Sequence, residues 1–158
     1  MKGNTGKILH VDLTTGSLVV ETPDEMFYRR YVGGSCMGVY YVTRLTPVGA
    51  DPLGPENILA FTTSAVVGAP LSGNARHCVS AKSPLTGGIM SSEGGGYWGP
   101  ELRFAGFDAV VIRGKAPKPT YLWIHDGQAE LRDAAGLWGK VTGDVQDALR
   151  QELADDKV

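Results

Sequence analysis

The residues of this chain best suited to holding a charged, multiply hydrogen-bonding ligand are three consecutive glycines, Gly94-Gly95-Gly96, and one arginine, Arg76. Glycine has no Cβ, so a run of three leaves backbone N–H groups open to close approach by an anion or a heterocycle edge. Arginine adds a planar fork of donors that pairs bidentately with phosphate or a heterocycle. The same residues allow a plainer reading, in which the glycines permit a tight turn and Arg76 is a solvated surface residue. Within the cluster Gly94, Gly96 and Gly99 also spell G-x-G-x-x-G, the letters of a dinucleotide fingerprint. Its context is wrong: the fingerprint should follow a buried apolar strand and open a βαβ unit of about 30 residues. Here the preceding run ends in Ser91-Ser92-Glu93, and another strand pattern begins already at Asp108.

Other chemistry-bearing residues are sparse. His10, His77 and His125 share no spacing that suggests a ligand set and are assigned to packing or surface roles. The two cysteines, Cys36 and Cys78, are far apart and form neither a CxxC nor a Cys/His pattern, so this chain alone offers no zinc or cluster site. They read as reduced thiols, with Cys78 a small buried one. Tyr97 and Trp98 are expected to anchor a helix in the core. No catalytic residue and no metal ligand is assigned.

These residues need a scaffold, and 158 residues suffice for one ordinary domain with a packed core. A net charge of -2 gives no electrostatic footprint for nucleic acid or anionic lipid. No stretch approaches membrane-spanning length and the N-terminus lacks a signal-like apolar region, which leads to the expectation of a cytoplasmic protein.

Alternation over GKILHVDLT, a Thr15-Gly16 turn and SLVVE predict a hairpin. Asp24 is an N-cap for a helix running to Gly33-Gly34, and a second helix spans about 36–45. Strands follow at 58–64 and 76–82, the latter with Arg76, Cys78, Ser80 and Lys82 on one polar face, and a short run at 88–92. A helix at 97–105 has Pro100 and Glu101 near its start. Strands at 108–113, 120–124 and 129–132 and an amphipathic helix at 143–153 complete the chain. The fold class is α+β: two mainly antiparallel or mixed β-sheets with a few short helices.

The opening GNTGKILHVDLTTG, VGG at 32–34, DPLGPEN at 51–57, SAKSPLTGG at 80–88, GGGYWGPELRFAGFDAVVIRGKAPKP at 94–119 and LRDAAGLWGK at 131–140 together resemble the N-terminal domain of the aldehyde:ferredoxin oxidoreductase family. The matches run in order along nearly the whole chain. The resemblance implies that residues 1–158 are a domain that cradles a tungstopterin, a bis-molybdopterin carrying tungsten or molybdenum, with magnesium bridging the pterin phosphates. It also implies downstream helical domains that hold a [4Fe-4S] cluster, aldehyde as substrate, ferredoxin as electron acceptor and room for a homodimer of the full enzyme. The family's pterin-contacting arginine falls on Arg76 and a contacting glycine on Gly95, flanked by Gly94 and Gly96. A contacting position usually held by asparagine is Glu93, and the family's glycine-rich turn reads GNAR at 73–76; both are departures from the pattern. On this reading the domain is truncated at its C-terminal end, and alone it neither oxidises aldehydes nor retains tungsten. The alternative is a stand-alone, non-catalytic pterin-binding or assembly module.

Overall fold

A computed structural model describes residues 3–156. Eight strands and four helices follow one another as β1 (Ile8–Asp12), β2 (Ser17–Glu21), α1 (Glu25–Tyr31), α2 (Gly34–Leu45), β3 (Leu59–Thr62), β4 (His77–Lys82), β5 (Ile89–Gly94), α3 (Trp98–Phe104), β6 (Ala109–Arg113), β7 (Thr120–His125), β8 (Gln128–Asp133) and α4 (Thr142–Leu153). The expected α+β architecture with two sheets is what the chain forms. Six strands make one mixed sheet in the order β2-β1-β6-β3-β4-β5, and β7-β8 is a separate hairpin. Every pairing is antiparallel except β1 with β6, which run parallel in register Ile8↔Ala109.

Period-2 alternation decides which residues go to which face. Ile8 of β1 and Ala109 and Val111 of β6 join Tyr28, Met37, Tyr41 and Val42 in a core beneath α1 and α2. Leu9, Val11 and Val110 face the other way and bury against Leu102 and Phe107, with Leu122, Ile124 and Leu131 of the hairpin packed alongside. The centre of the large sheet is thus covered on both faces, while the edge strand β5 stays exposed along most of its length.

Helix α1 starts where Asp24 accepts a hydrogen bond from the Phe27 amide, 2.8 Å. Between α1 and α2 the backbone turns through positive φ at Val32, Gly33 and Gly34. Gly33 lies so close to strand backbone that a Cβ there would come within 2.8 Å of the Ser64 Cα, which explains the paired glycines of the VGG segment. Helix α4 shows the expected amphipathic spacing, with Val145, Ala148, Leu149 and Leu153 partly covered, but none of its residues is buried.

Asp108, 1% exposed, sits before β6 at the junction of these layers. Its carboxylate accepts hydrogen bonds from the Thr5 amide (2.9 Å), the Gly6 amide (2.8 Å) and the Tyr28 hydroxyl (2.8 Å), and it pairs with the Arg103 guanidinium of α3. Removing one partner of a buried ion pair strands the other charge without compensation. Asp108→Ala is therefore expected to lower unfolding free energy by about 3–5 kcal/mol in urea titrations. Burial pushes the Tyr28 phenol far above its usual range, reinforced by its bond to Asp108, and Tyr41 is pushed up by burial and its bond to Glu21. A phenol whose folded pKa is raised contributes stability that is complete below the unfolded value, about 10, and is lost as pH rises above it. Absorbance at 295 nm should accordingly show these two of the six tyrosines ionising last, together with loss of far-UV circular dichroism.

Candidate functional site

Strand β5 forms one edge of the large sheet, and its ladder with β4 decides what meets at the edge: His77 faces Gly94, Cys78 faces Glu93 and Ser80 faces Ser91. Arg76 precedes β4 and shares a side with Cys78, so it is the diagonal neighbour of Glu93. The Arg76 Nη1 lies 3.3 Å from Glu93 Oε2, with side chains 69% and 50% exposed. The structure thus brings Arg76, Glu93, Gly94, Gly95 and Gly96 to one end of the β4-β5 hairpin, opposite its turn.

A polar chain that sequence reasoning missed runs along the same side. Ser35, in the first turn of α2, lies 3.5 Å from the Cys78 Sγ and accepts from Ser91 at 3.0 Å, and Ser91 pairs with Ser80 at 3.2 Å. The Cys78 thiol in turn stands 3.9 Å from Glu93 Oε1. Helix α2 reaches this position because Gly38 has no side chain: a Cβ there would fall 2.8 Å from the Ser80 Cβ. Ser80 carried a signal, as a polar residue between Val79 and Ala81, but only the register shows that it meets Ser91.

On the opposite side of β4 the His77 ring packs on Trp98, centroids 4.6 Å apart, and Trp98 on Phe61 at 5.2 Å. Burial lowers the His77 pKa. The expected core anchoring is corrected for both residues: Tyr97 is 85% and Trp98 41% exposed, and Trp98 packs at the surface on His77 and Phe61 while Tyr97 stays in the turn before α3.

The glycines of the cluster divide by what the chain itself requires. A Cβ on Gly94 would meet the His77 ring at 2.8 Å, and one on Gly99 would meet the Ala75 carbonyl oxygen at 3.2 Å. Gly96 has φ +92°, a conformation L side chains rarely adopt. Gly95 has neither reason: its φ is not positive and nothing lies within 4 Å of the place its Cβ would take. Among the described residues the amides of Gly95, Gly96 and Tyr97 find no acceptor. This edge is an open surface. Two hollows, about 250 Å³ beside Val145 and Leu149 of α4 and about 180 Å³ between α2 and the β4-β5 turn, lie elsewhere. Among the described residues no group of three or more His, Cys, Asp and Glu could hold a metal ion, and no helix is long and apolar enough to cross a membrane.

Comparison with known proteins finds the family model described as aldehyde ferredoxin oxidoreductase, N-terminal domain, over residues 8–158. The chain is 43% identical along its whole length to a tungsten-containing aldehyde ferredoxin oxidoreductase of Pyrococcus abyssi and 40% identical to that of Thermococcus kodakarensis; it spans 26% of each. It also superposes, with TM-score 0.93 and 36% identity, on a chain of the active site complex BamBC of benzoyl coenzyme A reductase in complex with 1,5-dienoyl-CoA, covering 98% of this chain and 24% of that one.

The two classes of glycine should separate in a thermal or denaturant melt. Gly38→Ala overpacks α2 against Ser80 and is expected to cost about 1–3 kcal/mol. Gly95→Ala meets nothing and should leave unfolding free energy within about 0.5 kcal/mol of the parent.

Proposed function

The chain belongs to the aldehyde ferredoxin oxidoreductase family, and from that premise we propose that it is the pterin-cradling part of a larger oxidoreductase. The reaction we assign to the whole enzyme is oxidation of aldehydes to carboxylic acids, with water as oxygen source and two electrons leaving through a [4Fe-4S] cluster to ferredoxin. The relatives it matches are about four times as long. In this proposal residues 1–158 form one wall of the site, and further domains supply the other wall, the cluster ligands and the acid/base residues.

The observation that carries the reading is Gly95. Within the glycine cluster it is the position where alanine would be conformationally allowed and sterically free, so the chain's own folding does not call for glycine. A ligand that must lie against the backbone does call for it. The donors around it suit a phosphorylated pterin: unpaired amides at Gly95 and Gly96, and the guanidinium of Arg76 across the sheet end. Open space at the positions of both missing side chains is the cradle such a group requires.

When bound, a tungsten or molybdenum bis-pyranopterin would supply the two-electron redox chemistry. This chain's residues bind and orient. Arg76 would neutralise phosphate charge or clamp a heterocycle edge, and its planar fork would fix the direction of approach. The amides of Gly95 and Gly96 would donate to oxygen or nitrogen acceptors, while the polar chain through Ser35 and Ser91 keeps α2 in register with the β4-β5 edge. Gly94 holds the strand close to His77, so the turn that presents Gly95 is backed by the His77–Trp98–Phe61 stack. A carboxylate at Glu93 adds negative charge beside phosphates, and a magnesium ion would offset it.

The test is metal and pterin content of the full-length protein expressed with tungstate and molybdate. Arg76→Ala is expected to retain at least about tenfold less cofactor than the parent, consistent with loss of a charge-assisted contact, and Gly95→Val should lose cofactor while melting normally. The 158-residue chain alone should show no aldehyde oxidation with a viologen acceptor. Full cofactor content in both variants would sink the assignment.

A further inference from the structure

Glu93 is the residue of this edge whose chemistry the binding role does not use. Its position is not free to vary: the ladder sets it opposite Cys78, and Arg76 is two residues before Cys78 on the same side. Both carboxylate oxygens are engaged. Oε2 takes the Arg76 Nη1 at 3.3 Å, and Oε1 stands 3.9 Å from the Cys78 thiol, which is itself buried and held by Ser35. Carboxylate and phosphate oxygens are alternative anionic acceptors for the same guanidinium donors.

We propose that Glu93 is an internal competitor for Arg76, occupying its guanidinium in place of a phosphate group, so that phosphate binds at this edge only by displacing the carboxylate. The inference rests on the reading of Arg76 as a phosphate ligand and adds a residue that sets the strength of that contact. The competition is modest by construction. The pair is solvent-exposed, and exposed ion pairs shift equilibria by no more than a few fold. The displaced carboxylate also stays within a few ångströms of the incoming anion, which adds a repulsion of similar size.

The two effects have different signatures. Competition acts through Arg76 and vanishes when Arg76 is absent; simple repulsion does not. The probe is inorganic pyrophosphate, titrated in EDTA into the 158-residue chain, whose two cores are built from its own residues, with binding followed by ¹⁵N NMR at the Gly95 and Gly96 amides. Glu93→Gln is expected to bind pyrophosphate about fivefold more tightly than the parent, and Glu93→Ala at least as tightly as Glu93→Gln. Arg76→Ala should weaken binding by about tenfold or more, and Glu93→Gln added to Arg76→Ala should recover less than half of the gain it gives alone. Unchanged or weaker binding in both Glu93 variants would overturn the proposal, as would a gain that persists in full without Arg76. If Arg76→Ala binds like the parent, the phosphate-ligand reading of Arg76 fails, and the competition falls with it.

Discussion

A single carboxylate organises this fold. Asp108 is almost wholly buried, yet it gathers the Thr5 and Gly6 amides, the Tyr28 hydroxyl of α1 and the Arg103 guanidinium of α3. Its backbone extends the same junction: the Asp108 amide donates to Lys7 (2.8 Å), and its carbonyl accepts from the Thr63 amide (3.0 Å) and hydroxyl (2.8 Å). Four segments distant in sequence are thereby fixed where β6 enters between β1 and β3. A buried charge is tolerable only when its lone pairs are met, and here four donors meet them. The consequence reaches the candidate site. β4 is held by β3, β3 by β6, and the edge strand β5 by β4, so the rigidity of the edge is inherited from the centre of the sheet.

Local pattern made most of the elements legible. Alternation identified the strands, and Asp24 and the Gly33-Gly34 pair marked the start and end of α1; the structure moves the bounds by a residue or two. The parallel pairing of β1 with β6 was not legible. Its partners are about a hundred residues apart, and what joins them is the Asp108 network, which leaves no periodic trace in sequence. Core anchoring by Tyr97 and Trp98 failed for a related reason. Adjacent aromatics look alike in sequence, and only the first turn of α3 decides that Trp98 lies on the His77 and Phe61 rings at the surface while Tyr97 stays outside, neither of them in a core. At the site, Arg76 and the glycine cluster were found from their chemistry, whereas the Ser35–Ser91–Ser80 chain needed the register of β4 with β5.

The glycine cluster shows how a motif can satisfy a pattern for reasons unrelated to it. The letters G-x-G-x-x-G fall on Gly94, Gly96 and Gly99, and each is explained by the chain: one by the His77 ring, one by a positive φ, one by the Ala75 carbonyl. None of the three indicates a dinucleotide. The glycine outside the pattern, Gly95, is the one with no internal explanation.

The open character of the edge follows from the same forces. A ligand pocket enclosed by one small domain costs core, since each wall must be packed on its own far side. The centre of this sheet spends both faces on its two cores, and what stays open to a ligand is the exposed edge at β5 and its end. Such an end has short reach but little freedom. His77 and Trp98 brace it on one side and Ser35 and Ser91 on the other, and the exposed amides follow directly on the end of β5 in the short connection to α3. A surface of this kind gains affinity from preorganisation more than from buried area, and an exposed contact such as the Arg76–Glu93 pair adjusts that affinity by no more than a few fold.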